Sequence, residues 1–182
     1  MRIAAVLLSI GCVGGMVTGA EASSDRRPPK NETLAWYNDH WINLASSWET
    51  ATACHIAETD AVCFATEAEL DEYLAQATLS TATPTGPVAA ALSCSSSLRL
   101  YDGTSYTGSV LSIYIQGLVV NLSGYSFDNK TSSYKVGACW SIFNSAANGG
   151  GSTYPTNLTE AGDQSPTMLS GWNNVVSSVY LG

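Results

Sequence analysis

One seven-residue pattern is written twice in the C-terminal half of the chain, and this duplication restricts the possible folds more than any other feature. The first copy is FDNKTSS, residues 127–133, and the second is WNNVVSS, residues 172–178. Each copy contains an aromatic residue, two Asx residues, two free positions and a pair of serines. A segment that repeats in this way within one chain indicates a repeated supersecondary unit.

A second shared element precedes each heptapeptide, namely an aromatic residue separated by six residues from a glycine. The pairs are Tyr101 with Gly108 and Phe143 with Gly150. These pairs are offset by 42 residues and the heptapeptides by 45, so the order of elements is the same and their spacing nearly so. Two copies of about forty-five residues, each with four short strands, would close on each other as paired Greek keys.

The region from Cys94 to Gly182 has the pattern of an antiparallel β-sheet. Apolar and polar residues alternate in short segments that are separated by glycine and asparagine. The segments are SLRLY, SVLSIYI, LVVNL, SSYKVGA, CWSIF and VVSSVYL. Strands of this length and spacing, with almost no helical period, predict a sandwich or a barrel.

The two elements, in this order and in two copies, resemble the motif pattern of a βγ-crystallin domain. The matching positions are Tyr101, Tyr106, Gly108 and residues 128–133 in the first copy, and Phe143, Gly150 and residues 173–178 in the second. The second copy lacks an aromatic residue just before its glycine, and the three glycines at 149–151 leave the register open. The resemblance implies a mainly β protein with a double Greek-key sandwich over residues 94–182.

Calcium-binding members of this family hold two calcium ions between the duplicated stretches, so the resemblance implies a set of ligands here. The side chains would be those of Asp128, Asn129, Ser132, Asn173, Asn174 and Ser177, and the backbone carbonyls those of Lys130 and Val175. Calcium prefers six to eight hard oxygen ligands, and with a single carboxylate we expect weak binding, on the order of 10⁻⁵ to 10⁻³ M. The alternative is that these Asx and Ser residues only stabilise turns by hydrogen bonds to the backbone.

The first twenty-two residues have the composition of a cleavable secretory signal. One arginine precedes an apolar run, and the small-residue sequence Ala20-Glu21-Ala22 stands before Ser23. The apolar run is short for a membrane span. We therefore expect a secreted, extracellular protein, of bacterial type, that is free of the membrane after cleavage.

Four cysteines remain after the predicted leader, Cys54, Cys63, Cys94 and Cys139. An even number in an exported chain indicates disulfide bonds, and the absence of any Cys-x-x-Cys spacing argues against zinc. Three pairings are possible. The pairing of Cys54 with Cys63 and of Cys94 with Cys139 keeps each bond within one compositional segment.

The N-terminal half is predicted to form a small α+β unit, residues 23–76, stabilised by a disulfide bond. Residues 23–31 are polar and proline-rich and predict a disordered start. Apolar residues at steps of three, four and seven between Leu34 and Trp48 predict a helix. Two short strands around residues 58–61 follow, and Thr66 with Glu69 forms a capping box that begins a second helix. The unit is thus a helix–hairpin–helix, and residues 77–93 read as a linker.

The distribution of charge restricts the partners. The chain has a formal net charge of −8, and between residues 31 and 76 there are nine acidic residues but no lysine or arginine. Because phosphate groups repel such a surface, nucleic acid is excluded as a partner.

Sequence patterns of catalysis are missing, so we expect no enzyme. The only histidines are His40 and His55, and neither H-E-x-x-H nor G-x-S-x-G occurs. Besides calcium binding, two alternatives remain open. Secreted bacterial metalloproteinase inhibitors share the crystallin-like fold, so an extracellular protease is the candidate partner in the first alternative. In the second alternative the chain is a structural or adhesive module, in which the tryptophans 36, 41 and 48 bind a ligand or fill a core. The sequence leaves the oligomeric state open.

Overall fold

The computed structural model describes residues 33–80 and 94–182, except for the side chains of residues 78–80. The predicted leader, the predicted disordered start and residues 81–93 of the predicted linker lie outside the described residues. The remaining part of that linker, residues 77–80, is the end of a helix rather than a connection.

The described residues form strands and one α-helix, joined by turns and short 3-10 segments. The elements are β1 (Leu34–Tyr37), β2 (His40–Asn43), β3 (Ala53–Ile56), β4 (Ala61–Phe64), α1 (Glu67–Ser80), β5 (Leu98–Tyr101), β6 (Val110–Ile113), β7 (Val119–Asn121), β8 (Ser133–Lys135), β9 (Ser141–Asn144), β10 (Gln164–Ser165) and β11 (Ser178–Leu181). The prediction of a mainly β protein with a small α+β unit at its N-terminal end is confirmed.

The first predicted helix is wrong, because residues 34–43 form a β-hairpin. Strands β1 and β2 pair antiparallel, with Trp36 opposite Trp41. The two-residue turn between them consists of Asn38 and Asp39, whose φ values are 45° and 64°. Asn and Asp tolerate this left-handed conformation, and a turn of two such residues matches the twist of a hairpin. The spacing of the apolar residues also fits a helix, but the Asn38–Asp39 turn and the aromatic residues on either side of it favour a hairpin.

The rest of the N-terminal unit agrees with the prediction. Strands β3 and β4 pair antiparallel and are joined by the Cys54–Cys63 disulfide bond. Helix α1 begins after Thr66, whose hydroxyl accepts a hydrogen bond from the Glu69 backbone N–H. In return the Glu69 carboxylate accepts one from the N–H of Ala65, one residue earlier than the usual capping box.

The C-terminal half consists of two Greek keys that exchange a strand. The first key supplies β5, β6, β7 and β8, and the second supplies β9, β10 and β11. Strand β7 of the first key pairs with β11 of the second, and β10 of the second pairs with β8 of the first. The strand that would correspond to β6 is reduced in the second key to a single bridge between Asn144 and Thr153. The Cys94–Cys139 disulfide bond ties the start of one key to the start of the other.

Both halves of the chain share one sheet, which the sequence did not indicate. The large sheet has the strand order β10-β8-β5-β6-β3-β4-β1-β2, and the small sheet has the order β7-β11-β9. The joint is the parallel pairing of β3 with β6, in which Ala53 lies opposite Val110 and Ile56 opposite Ile113. The edge of the first Greek key is thereby covered, and the N-terminal unit extends the large sheet.

The core lies between the inner faces of the two sheets. Leu98, Leu100 and Leu111 of the large sheet and Phe143 and Val179 of the small sheet are completely buried there. Because side chains alternate along a strand, the neighbours of these residues point to the outer faces. The N-terminal unit joins the same core: the indole N–H of Trp48 donates a hydrogen bond of 2.7 Å to the Tyr125 carbonyl, so this tryptophan is a packing residue.

Helix α1 covers one end of the outer face of the large sheet. Its Leu70 is completely buried against Ala53, Tyr101 and Val110. Two helix carboxylates bind the Arg99 guanidinium, Glu67 at 2.7 Å and Asp71 at 2.5 Å. The helix therefore depends on an ion-pair network as well as on apolar packing, since its Tyr73 is exposed and its Leu74 only half-buried.

A chain of polar side chains lies beside this helix on the same outer face. The Ser112 hydroxyl lies 2.8 Å from that of Ser97 and 2.9 Å from Nδ1 of His55. All three residues are buried, and His55 is only 7% exposed. Burial lowers the pKa of His55 from 6.5 to about 4, and the nearby charge of Arg99 acts in the same direction. The imidazole is therefore neutral at pH 7.

This lowered pKa predicts a loss of stability in weak acid. Between pH 6.5 and 4 the unfolded chain binds a proton at His55 that the folded protein does not bind. The free energy of unfolding should therefore decrease as the pH is lowered from 6.5 to 4, by up to roughly 3 kcal/mol. Urea denaturation at a series of pH values measures the effect.

The variant His55→Gln should flatten this pH dependence, because glutamine does not titrate. His40→Gln is the matched control: His40 is exposed, and its pKa is raised by hydrogen bonds to the Asn38 carbonyl and Glu49. A protein whose acid profile is unchanged by His55→Gln would contradict the assignment.

Candidate calcium site

The two heptapeptides meet at one end of the sandwich, where each forms the turn that leads into β8 or β11. Asn129 and Asn174 occupy the same position in the two copies and have left-handed φ values of 55° and 59°. The Asn129 N–H donates to the Val176 carbonyl, and the Asn174 N–H to the Thr131 carbonyl, both at 3.0 Å. Each turn is thus bonded to the other copy, in a nearly symmetric pair.

The side-chain oxygens of the two copies also cross over. The Ser132 hydroxyl donates to the Asn174 side-chain oxygen at 3.1 Å, and the Ser177 hydroxyl to the Asn129 side-chain oxygen at 3.3 Å. The Lys130 carbonyl lies 3.5 Å from the Ser132 hydroxyl. We call these groups the two oxygen clusters: Ser132, Asn174 and the Lys130 carbonyl form one, and Ser177 and Asn129 form the other.

The other predicted ligands lie near the clusters but are less closely bound to them. Asp128 is exposed, and its carboxylate accepts a hydrogen bond of 3.3 Å from the Asn129 amide. Asn173 is exposed and Val175 is half-buried. Within residues 33–80 and 94–182, no three His, Cys, Asp or Glu side chains lie together in a way that could hold a metal ion. The clusters therefore offer neutral oxygens, with Asp128 as the nearby carboxylate.

The last serine of each heptapeptide has a different role, which the sequence did not reveal. The Ser133 hydroxyl donates to the Gly103 carbonyl at 2.6 Å and accepts from the Tyr106 N–H at 3.1 Å. The Ser178 hydroxyl donates to the Ala146 carbonyl at 2.6 Å and accepts from the Gly149 N–H at 3.0 Å. Both serines are completely buried and hold the hairpin of their own Greek key in place.

These bonds correct the register of the second hairpin by one residue. Gly108 has a φ of 79°, and its counterpart with a φ of 76° is Gly151, whereas Gly150 has a φ of −89°. A side chain on Gly151 would lie 2.4 Å from the Ser145 hydroxyl, just as one on Gly108 would meet Asp102. The bonds of Ser133 and Ser178 to their hairpins identify which of the three glycines is equivalent to Gly108.

Because of the same one-residue shift, Phe143 is not the counterpart of Tyr101. Strand β11 places Ser178 opposite Asn144, as β8 places Ser133 opposite Tyr101, so Asn144 and Tyr101 are equivalent. Phe143 corresponds to Leu100 and points into the core. A shift of one residue moves a strand side chain to the other face, so the predicted pairing of the two aromatic residues was wrong.

The second hairpin folds like the first although it lacks an aromatic residue at the position of Tyr106. Ser105 and Asn148 have the same left-handed conformation, with φ 57° and ψ 32°. In the first copy Tyr106 packs edge-to-face on Tyr101 at 5.7 Å. In the second copy Asn148 is held instead by Asn121, which accepts a hydrogen bond from its N–H and donates one to its side-chain oxygen, both at 2.7 Å.

No model of a known protein family matches this chain, and no curated protein is similar to it in sequence. Solved βγ-crystallin structures do resemble it, with coverage of 47% of this chain in each case. One from Ciona intestinalis is 18% identical with 99% of that chain covered and a TM-score of 0.40. Domains from Flavobacterium johnsoniae and Clostridium beijerinckii are each 22% identical, with 92% and 95% of those chains covered and TM-scores of 0.36 and 0.37.

The two Greek keys of this chain exchange strands, and a buried motif serine holds each hairpin. Residues 94–182 have a βγ-crystallin-like fold. The βγ-crystallin-like half carries both oxygen clusters, while β1 to β4 and α1 are an addition to its large sheet. No helix within the described residues is long and apolar enough to span a membrane.

The corrected register predicts different effects at neighbouring glycines. Gly151→Ala should lower the free energy of unfolding by about 2 kcal/mol or more, because alanine is strained at this φ and its Cβ would displace Ser145. Gly150→Ala should cost less than about 1 kcal/mol, since its φ suits alanine. Chemical denaturation compares the two, and equal losses would contradict the register.

The two serines of one heptapeptide should also differ. Ser178→Ala leaves the half-buried Ala146 carbonyl and the Gly149 N–H without their partner, and should cost about 1 to 2 kcal/mol of stability. Ser177→Ala removes a single hydroxyl contact at 3.3 Å and should cost less than about 1 kcal/mol. The same denaturation experiment measures both, and the assignment of roles fails if Ser177→Ala is the more damaging substitution.

Proposed function

We propose that this protein is a secreted, non-enzymatic module whose βγ-crystallin-like domain binds two calcium ions weakly at the duplicated heptapeptides. The observation that carries the proposal is the crossing of side-chain oxygens between the two copies, Ser132 with Asn174 and Ser177 with Asn129. Each cluster would hold one ion, and a calcium ion supplies two positive charges that attract several hard oxygens at once.

Turn formation alone explains part of this arrangement but not all of it. The left-handed φ of Asn129 and Asn174 favours asparagine at both positions for purely structural reasons. It does not require that each asparagine oxygen face a serine hydroxyl of the other copy. That second property concentrates neutral oxygens at two equivalent places, which suits a hard cation.

The charges near the clusters favour weak affinity. Asp128 is the one carboxylate in the two heptapeptides, and Lys130 adds a positive charge next to it. Calcium affinity rises with the number of charged ligands, so we expect dissociation constants on the order of 10⁻⁵ to 10⁻³ M. Such values suit extracellular calcium concentrations rather than those inside a cell.

Calcium would act here by joining the two Greek keys. Each cluster takes groups from both copies, so an ion bound there opposes their separation. Binding to the folded state alone stabilises a protein by about 2.7 kcal/mol at a ligand concentration one hundred times the dissociation constant. The two disulfide bonds, Cys54–Cys63 and Cys94–Cys139, suit the same extracellular setting.

Inhibition of a metalloproteinase stays a prediction from the resemblance. The glycine-rich segment that begins at the end of β9, residues 144–157, could serve as an inhibitory loop, but it is folded back on the domain: Tyr154 is buried in the core, and Ser145 is bonded to Ser152. A loop held in this way offers little extended backbone to a protease cleft.

Calorimetric titration of calcium into the chain from Ser23 onward tests the proposal, after the protein has been stripped of metal. Wild type should fit two weak sites. Asn129→Gly and Asn174→Gly should each weaken one site at least tenfold, because glycine keeps the left-handed backbone but removes the oxygen.

Asn38→Gly is the matched control, since Asn38 also has a positive φ and lies in the distant β1–β2 turn. It should leave both sites unchanged. Absence of heat at 10⁻² M calcium, a concentration well above the expected range, would refute calcium binding and reduce the heptapeptides to turn residues.

A further inference from the structure

A cavity of about 600 Å³ lies on the outer face of the large sheet. Its floor is formed by outward-facing residues of β3, β5 and β8, and its walls by the second half of α1 and the segments next to β5, β6 and β8. The rings of Tyr73 and Tyr114 stand on either side of His55, at centroid distances of 6.4 and 6.1 Å. The cavity therefore has aromatic walls around a buried polar group.

His55 provides an open hydrogen-bonding atom in this cavity. Its Nδ1 is bonded to Ser112, while its Nε2 has no hydrogen-bond partner among the described residues. The residue is only 7% exposed and lines the cavity, so a ligand in the cavity is the natural partner for Nε2. Nε2 is not completely enclosed, so a ligand hydroxyl in the cavity can reach it and replace water as its partner.

From His55 in the cavity, a row of side chains crosses the N-terminal strands. His55 lies opposite Val62, Val62 beside Trp36, and Trp36 opposite Trp41, all on the outer face. The two tryptophan rings pack edge-to-face at 5.2 Å, and Trp41 is 43% exposed. The ring at the end of the row is thus held in a fixed orientation but remains open to a ligand.

We propose that this cavity and the Trp36–Trp41 pair form one binding site for a neutral oligosaccharide. Sugars present alternating apolar C–H faces and hydroxyl groups, which match aromatic rings on one side and hydrogen-bonding atoms on the other. Since neighbouring strands lie about 4.8 Å apart, the row from His55 to Trp41 spans roughly 14 Å, the length of about three pyranose units.

The charges at the site exclude a strongly anionic ligand. Both nitrogens of the Arg99 fork are occupied by Glu67 and Asp71. The Lys135 ammonium lies over the rings of Tyr101 and Tyr106, at 5.3 and 4.7 Å from their centroids. The unit around the cavity is acidic overall, so a neutral ligand is favoured over a sulfated or phosphorylated one.

Titration with cellohexaose, chitohexaose and maltohexaose, and with the corresponding disaccharides, tests this site in the chain from Ser23 onward. We expect at least one hexasaccharide to bind, and its disaccharide to bind more weakly because it fills the cavity without reaching Trp41. Trp41→Ala should lower the affinity for the hexasaccharide about tenfold and leave that for the disaccharide within twofold. His55→Gln should weaken both.

Trp140→Ala is the matched control, because Trp140 is 44% exposed but lies next to the small sheet. It should leave sugar binding unchanged. Equal effects of Trp41→Ala and Trp140→Ala, or no binding of any hexasaccharide, would overturn the proposal. Preferential binding of a sulfated hexasaccharide would overturn the neutral class. The titrations are repeated in EDTA, since the site shares no residue with the oxygen clusters and should work without calcium.

Discussion

Each Greek key gives its third strand, β7 or β10, to the sheet of the other key, and most of the architecture follows from this exchange. Neither key can close its own sheet, so the two must fold together around one core. The exchange also brings the turn before β8 beside the turn before β11. The two heptapeptides, forty-five residues apart in sequence, thereby share backbone bonds and place their Asn and Ser oxygens together.

The N-terminal unit builds the second proposed binding surface by extending the same sheet. Strand β3 adds in parallel to the edge strand β6, and its Cys54–Cys63 bond fixes β4 beside it. This addition sets His55 next to Ser112 and aligns it with the tryptophans of the first hairpin. Helix α1, anchored by Arg99, then forms the wall of the cavity. The cavity and the tryptophan pair thus lie on the outer face of the large sheet, whereas the oxygen clusters lie at the end of the sandwich.

The parts predicted from sequence are those specified by short-range chemistry. Alternation of apolar and polar residues identified the six longer strands of the C-terminal half, and the Thr66–Glu69 capping box identified the start of α1. The hairpin at 34–43 was missed because its aromatic spacing also fits a helix, although the Asn38–Asp39 turn was a usable signal. The glycine register was missed because the sequence does not distinguish three adjacent glycines. The bond from the Gly149 N–H to the Ser178 hydroxyl fixes the register of all three.

The sequence alone determined the duplication, the oxygen-rich composition of the repeats and the cysteines available for bonding, since these are properties of residue types and their spacing. Tertiary structure decided which oxygens face each other, which of the two serines is structural, and that β3 joins β6. Those facts depend on contacts between residues 27 to 57 positions apart. Local sequence does not encode such contacts, because they form only when strands that are distant in sequence pair with each other and pack around one core.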